Sequence, residues 1–313
     1  MKINLKESEK QVIAILVFLI VVSIFYGRAI NKEIVLSQDI ENRVTAEEDA
    51  IKPFLNLALQ AKAFAIYDAE KKSFVYKRNA EEAMPLASLA KVMTTIVVME
   101  NAPKDKVFQI SKEALAQSAD HGLLLGEKWS RDELLKFALF VSSNDAVHEL
   151  ALETGAIIDP TSSNPVQTFV DKMNSRAQEL GLRSLVFKNE SGLDISPEEN
   201  GAYGSARDVA KLFAYAVSTY PEIFSFTNSK IATISSLDKS HNIDNTNTVV
   251  EEIPGIKASK TGFTNLSGGN LVVATSPETD STRVIIVLGS TYDERFTDMK
   301  TLSGAVIRSV NNL

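Results

Sequence analysis

The chain contains no cysteine. That excludes disulfides, a thiolate nucleophile, cysteine-bound zinc and a lipid-modified N-terminal cysteine. Histidine is scarce, with only His121, His148 and His241 present. His148 precedes Glu149, but the residue four positions after His148 is Leu152, so the zinc-binding H-E-x-x-H pattern fails. No metal site and no cofactor is expected. A Ser-His-Asp hydrolase is disfavoured too, because no G-x-S-x-G elbow is present. His148 is instead expected to be structural. There is no block of basic residues, and the net charge is −7, so a nucleic-acid partner has no electrostatic support. Internal repeats and low-complexity tracts are absent as well.

What is present is a chain of 313 residues, 44% hydrophobic and 23% charged, enough for one large domain or two small ones. At the N-terminus, residues 12–26 are all apolar or aromatic except Ser23. Lys2, Lys6 and Lys10 precede this run; Arg28 and Lys32 follow it. A span needs about 20 apolar residues, with a lower limit near 17. Residues 11–27 only just reach that limit. A signal peptide, whose apolar region is typically about 7–15 residues, is the competing reading. Gly27 and Ala29 form a small pair that a peptidase would accept. Glu7 and Glu9 are unusual before a signal sequence, however, and Arg28 separates the small pair, so an uncleaved anchor is preferred. On either reading the remainder is exported. The expected division is an anchor or signal segment at 1–30, a polar acidic spacer at 31–56 and one domain at 57–313.

Within that domain, Ala63–Asp68 and residues 73–77 are β-type runs joined as a hairpin. Ser130 and Glu133 form a capping box opening the apolar stretch 134–140. Asn164 with Pro165 starts a further helix. Its spacing of Phe169, Val170, Met173, Ala177 and Leu180 runs up to Gly181. Ser205 begins another helix, which must stop before Pro221. Strands are expected at 256–263, 270–275 and Arg283–Ser290, then a terminal helix marked by Phe296, Met299, Leu302, Val306 and Val310. Strands at both ends with helices between them predict one antiparallel sheet flanking a helical middle.

The chemistry concentrates in a few polar residues set in apolar surroundings. Residues 85–100 read as a buried helix in which Ser88 and Lys91 are out of place. At i and i+3 they share a face. Burial disfavours a charged amine and lowers its pKa, and a neutral amine beside a hydroxyl can take its proton. The first helical turn adds N–H groups and positive potential for a developing oxyanion. Alone, S-x-x-K reads equally well as a capping serine and a snorkelling lysine. Ser236 and Lys239 repeat it in a polar stretch expected to be a loop. Two further motifs change the balance. Ser142-Ser143-Asn144 lies at the end of an apolar helix, and Lys260-Thr261-Gly262 lies in a predicted strand. Their order, S-x-x-K, S-x-N, K-T-G, is the signature of penicillin-binding proteins and serine β-lactamases.

From 63 to 306 the sequence resembles the D-alanyl-D-alanine carboxypeptidases, the low-molecular-mass penicillin-binding proteins. Besides the motifs, the resemblance rests on Gly122-Leu123-Leu124-Leu125-Gly126-Glu127 and Ser143-Asn144-Asp145-Ala146. It also rests on the stretch from Phe187 to Asp194, on Ser205-Ala206-Arg207-Asp208, on Asn245-Thr246-Asn247 and on Lys260 to Thr264. It implies a β-lactamase/penicillin-binding-protein-like α/β fold of the α+β kind, with a central antiparallel sheet flanked by helices and an all-helical subdomain inserted between strands. It implies a serine peptidase of cell-wall metabolism and cell shape, acting on peptidoglycan stem peptides ending in D-Ala-D-Ala and acylated by β-lactams. Ser88 would be the nucleophile, Lys91 the base and Ser142 a proton shuttle helped by Lys260. Asn144 would hold the acyl-side amide, and Lys260 and Thr261 the terminal carboxylate. Gly262 would leave room for the substrate backbone. The N–H groups of Ser88 and Phe263 would form the oxyanion hole.

The sequence departs from the family at three points. Ser143 stands where glycine is common in S-x-N. Glu190-Ser191 replaces Pro-His before Gly-Leu-Asp, and Phe263 replaces a tyrosine or histidine after K-T-G. Many members carry a second β-rich domain and a C-terminal anchor; here the N-terminal run is expected to take the anchor's place. A D,D-endopeptidase cutting crosslinks is the nearest alternative. A β-lactamase, with Glu190 as the nearest candidate deacylating base, and an inactive wall-binding protein are more distant ones.

Overall fold

The computed structural model describes residues 6–118, 122–277 and 281–311; His121 and Lys2 lie outside them. The chain divides into an N-terminal unit ending at Lys52 and a second unit, 53–311.

The N-terminal unit is one helix, α1 (Glu7–Ile51). Its Glu7–Gln38 portion is long and apolar enough to cross a membrane, by length and composition. Glu7 and Glu9 sit in the first turn, where acidic side chains complement the helix dipole. The acidic segment expected as a spacer is helical up to Ile51. No glycine or proline interrupts the chain between Gly27 and Pro53, and Pro53 disfavours helix immediately before it.

The second unit is built on β1 (Ala63–Asp68) and β2 (Ser73–Arg78), a hairpin as expected. After β3 (Ala83–Pro85) comes a 3-10 turn, Ala87–Ala90, and then α2 (Lys91–Asn101). The inserted region continues with β4 (Val107–Gln109), β5 (Lys128–Ser130), α3 (Arg131–Phe140), α4 (Asn144–Ile158) and α5 (Pro165–Glu179). It goes on with β6 (Val186–Phe187), β7 (Ala202–Ser205), α6 (Ala206–Thr219) and the single turn α7 (Pro221–Phe224). A hairpin follows, β8 (Ile231–Ser235) and β9 (Ser240–Asp244), before β10 (Ile256–Thr264), β11 (Gly268–Thr275), β12 (Arg283–Ser290) and α8 (Glu294–Asn311).

The main sheet has the order β10-β11-β12-β1-β2, with every neighbouring pair antiparallel. Strands from both ends of the unit therefore share one sheet, and β10 is its edge. Successive side chains of a strand face opposite ways. Phe64, Ile66, Val273, Ile285 and Val287 pack with Phe296, Met299, Leu302 and Val306 of α8. Ala65, Val272, Ala274, Val284 and Ile286 pack with the helical region, including Val209 and Phe213 of α6. Covering both faces explains why these strands read as unbroken apolar runs. Asp298 of α8 accepts from the Gln60 and Ala61 N–H groups and from Ser290 Oγ, tying the helix to the start of β1.

The capping signals act as expected, with one change. Ser205 Oγ accepts from Asp208 N, and Asn164 Oδ1 from Gln167 N ahead of Pro165. Gly181 has φ +71, and the Leu182 N–H returns to the Ala177 carbonyl. Ser130 caps α3 from the Glu133 N–H, but the Glu133 carboxylate pairs forward with Lys136, so the capping box is only half formed. The inserted region is not purely helical. It also carries the small sheets β3-β7-β6, β4-β5 and β8-β9. The decoy serine, Ser236, sits in the β8–β9 turn, where its Oγ accepts from the Asp238 and Lys239 N–H groups.

Candidate active site

Ser88 lies in the tight turn between β3 and α2, one residue after Ala87, which takes a left-handed φ of +49. A left-handed backbone at a non-glycine residue persists only where its surroundings enforce it. Asn270 of β11 donates to the Pro85 and Leu86 carbonyls at 3.0 and 3.1 Å. The Leu86 N–H binds the Ala202 carbonyl of β7. Gly192 has no Cβ, and one there would overlap the Ala87 carbonyl oxygen.

Lys91 opens α2 and is fully buried. Its Nζ lies 2.8 Å from Ser88 Oγ, 2.8 Å from Asn144 Oδ1 and 3.2 Å from the Ser191 carbonyl oxygen. Burial lowers its pKa to about 7, against the opposing charge of Glu190. A neutral amine has two N–H groups and one lone pair. The amide and peptide oxygens can only accept, so they take the two N–H groups. The lone pair is left for the one partner able to donate, the Ser88 hydroxyl. In its neutral form, an amine so bound can take the proton of that hydroxyl.

Ser142 joins α3 to α4 and has φ +61. Its Oγ lies 2.8 Å from Lys260 Nζ, which also donates to the Thr261 carbonyl. Ser143 has an extended φ of −61 and caps α4 by accepting from Ala146 N. Nothing at that residue requires glycine, and the hydroxyl has its own use. Asn144 is engaged at both ends of its amide, since Nδ2 donates to the Ser118 carbonyl. It therefore orients Lys91, besides any contact with a substrate.

Lys260 is buried, and its pKa is held well below the usual lysine value by burial and by the positive charges of Lys91 and Arg295. Thr261 Oγ1 donates to Thr246 Oγ1. A Cβ at Gly262 would lie 2.9 Å from the Leu86 carbonyl oxygen and 3.3 Å from the Ser88 nitrogen. The missing side chain lets β10 pack against the turn that carries Ser88. Phe263 is 41% exposed and meets the Tyr292 ring edge-on at 5.0 Å.

Residues expected to act together thus come together: Ser88, Lys91 and Asn144 on one side, Ser142, Lys260 and Thr261 on the other, with Gly262 against the Ser88 turn. Sequence reasoning gave no role to the residues that support them, although Gly192, Asp194 and Thr246 lie in stretches that carry the family resemblance. Asn270, Gly192, Thr246 and Asp194 belong here; the Asp194 carboxylate accepts from Thr264 Oγ1 and the Leu266 N–H. A lone asparagine at the start of an apolar strand was the available signal for Asn270. Glu190, the rival deacylating base, is buried and bound to His148 Nδ1 at 2.8 Å. His241 likewise pairs with Glu127, at 2.6 Å.

Known proteins resemble the chain in sequence and in fold. The D-alanyl-D-alanine carboxypeptidase DacF of Bacillus subtilis is 31% identical over 247 residues, or 76% of this chain and 60% of the relative. The chain therefore spans about three fifths of that relative's length. A D-alanyl-D-alanine endopeptidase of Haemophilus influenzae is 28% identical over 265 residues, 80% of this chain and 86% of the relative. Penicillin-binding protein D2 of Listeria monocytogenes, solved in an ampicillin-bound form, superposes with a TM-score of 0.65 at 29% identity, covering 80% of this chain and 99% of that one. The family profile described as D-alanyl-D-alanine carboxypeptidase matches residues 45–291, from the end of α1 to just past β12, and the chain belongs to that family.

Proposed function

We propose that this chain is a penicillin-sensitive serine carboxypeptidase that trims peptidoglycan stem peptides ending in D-Ala-D-Ala. The observation that carries the reading is the buried Lys91 amine, 2.8 Å from Ser88 Oγ, with its other hydrogen-bonding capacity taken by acceptors. Ser88 Oγ attacks the carbonyl between the two D-alanines, and its proton passes to Lys91. The N–H groups of Ser88 and Phe263 hold the oxyanion. The C–N bond then breaks, Ser142 gives its proton to the departing amine, and Lys260 replenishes Ser142. The proton held by Lys91 passes to Lys260, which restores both lysines. Water then attacks the ester and gives a proton to Lys91, which returns it to Ser88 Oγ as the ester C–O bond breaks. Lys260 and Thr261 bind the terminal carboxylate, whose charge favours the protonated form of a lysine otherwise discharged by burial.

A penicillin is expected to acylate Ser88, and Ser88→Ala to abolish labelling while the protein stays folded. Unchanged labelling of the variant would overturn the assignment. A D,D-endopeptidase is the second reading, favoured by the similarity to the Haemophilus influenzae relative over 86% of its length. Comparing release of D-alanine from a free stem pentapeptide with cleavage of a crosslinked dimer separates the two.

Residues 7–38 serve as an uncleaved anchor on this reading, with the catalytic unit outside the cytoplasm. Lys2, Lys6 and Lys10 before the apolar run outnumber Arg28 and Lys32 after it, which favours a cytoplasmic N-terminus. Cleavage between Gly27 and Leu36, found by sequencing the N-terminus of the mature protein, would replace the anchor with a signal peptide.

A further inference from the structure

Arg295 is an arginine in the first turn of α8 with only 4% of its surface exposed. Its guanidinium carbon lies 4.5 Å from the Tyr292 ring centroid and 4.7 Å from that of Phe296. A Cβ at Gly269 would collide with the Thr291 carbonyl and lie 3.2 Å from Arg295 Cδ, so the glycine lets the start of β11 lie close to the segment that leads into α8. Arg295 Nη1 donates to the Gly262 carbonyl oxygen at 2.8 Å. Burying a cation is costly unless it is well partnered; here the Gly262 carbonyl, the Tyr292 side chain, the nearby Asp293 charge and the faces of two aromatic rings supply the partners.

That carbonyl belongs to the same peptide unit as the Phe263 N–H. The unit is trans, like every peptide among the described residues. In a planar trans peptide the C=O and N–H point in opposite directions. Gripping the Gly262 oxygen from one side therefore aims the Phe263 N–H away from Arg295. The other neighbour of this peptide is the nucleophile's turn, because the missing Gly262 side chain would lie 3.3 Å from the Ser88 nitrogen. A charge-assisted bond to the carbonyl also polarises the unit and strengthens its N–H as a donor.

We propose that Arg295 is a positioning residue for the oxyanion hole: by binding the Gly262 carbonyl it orients and polarises the Phe263 N–H that receives the oxyanion. The inference rests on the acyl-enzyme reading given above. Arg295 touches no reacting atom. Its effect passes through one peptide bond, and it falls on the transition state and the acyl-enzyme carbonyl more than on substrate affinity.

The test is infrared difference spectroscopy of the penicillin acyl-enzyme, read beside acylation kinetics and thermal melting. Arg295→Met keeps the apolar stem and removes the donor. The ester carbonyl stretch should move to higher wavenumber, and acylation should slow by on the order of 10²-fold, as for loss of one oxyanion donor. Arg295→Lys keeps the charge without the planar fork and should fall between wild type and Arg295→Met; it carries the test alone if the methionine variant does not fold. Slower acylation with an unmoved carbonyl stretch would make Arg295 a packing residue only and overturn the proposal, as would unchanged acylation. A wild-type protein that penicillin does not acylate would overturn the active-site reading itself, a failure visible before any variant is made.

Discussion

Ser142 Oγ and Lys260 Nζ meet at 2.8 Å across 118 residues of sequence, joining the α3–α4 junction to β10. Ser142 reaches that position from a left-handed backbone, φ +61, which costs a non-glycine residue about 1–3 kcal/mol. Two substitutions separate the strain from the chemistry. Ser142→Ala keeps the strain and loses the hydroxyl. Ser142→Gly loses both. Each should slow penicillin acylation by about 10²–10⁴-fold, the range for a positioned acid–base group. Urea unfolding should find the glycine variant the more stable of the two, by about 1 kcal/mol. Acylation restored in Ser142→Gly would show that the backbone, and not the hydroxyl, is what matters there.

The pH dependence follows from Lys91. Its pKa is lowered to about 7 by burial, and only the free amine can take the Ser88 proton. Acylation should rise with pH through about 7 and level off above it, falling tenfold per pH unit on the acid side. Stopped-flow acylation between pH 5 and 9 measures this. Lys91→Arg keeps a cation that does not deprotonate and should be inactive throughout. An acid limb near 10 would mean that the amine is solvated and the base lies elsewhere.

Much of this architecture was legible in the chain itself. Ser205, Asn164-Pro165 and Gly181 mark helix ends because their side chains or backbones act on neighbours a few residues away. The strand runs around Ala63 and Ile285 are apolar because both faces of the sheet are covered. Ser88, Lys91, Ser142 and Lys260 stood out as polar residues in apolar settings. What could not be read were contacts joining distant segments. Asn270 holds a turn 184 residues earlier, and Arg295 binds a carbonyl 33 residues away. Neither leaves a periodic trace. Gly262 is similar: the sequence shows that a side chain is missing, but not that the turn carrying Ser88 packs against the strand there.

The pair formed by Glu190 and His148 gives a stability signature and a kinetic one. Burial pulls the His148 pKa down, but the hydrogen bond and charge of Glu190, with Glu113 beyond, outweigh it, so the net shift is upward. A raised histidine pKa stabilises the fold fully below the unfolded value, about 6.5, and the gain is lost as pH rises through the folded value. The melting-temperature gap between wild type and Glu190→Gln should therefore be widest below about pH 6.5 and narrow at higher pH. Glu190 also raises the Lys91 pKa, so the variant's acylation profile should have its acid limb at lower pH than wild type. A pH-independent gap with an unmoved limb would reduce the pair to ordinary packing.

Asn270 offers the sharpest separation between fold and site. It is fully buried, donates to the Pro85 and Leu86 carbonyls and accepts from the Gly289 N–H at 2.9 Å. Asn270→Ala leaves three backbone groups without this partner, and the buried Leu86 carbonyl, if unpaired, costs about 1–3 kcal/mol. Asn270→Asp is the more informative change. Its carboxylate still accepts from Gly289 but cannot donate, so it sets negative charge against two carbonyl oxygens on the turn that carries Ser88. Both variants should lose stability in urea unfolding. In whatever fraction stays folded, the aspartate should acylate more slowly than the alanine, because it pushes the Leu86 carbonyl, two residues before the nucleophile, out of place. Equal acylation in the two folded variants would show that the turn keeps its shape without β11, supported from the Gly192 and Ala202 side alone.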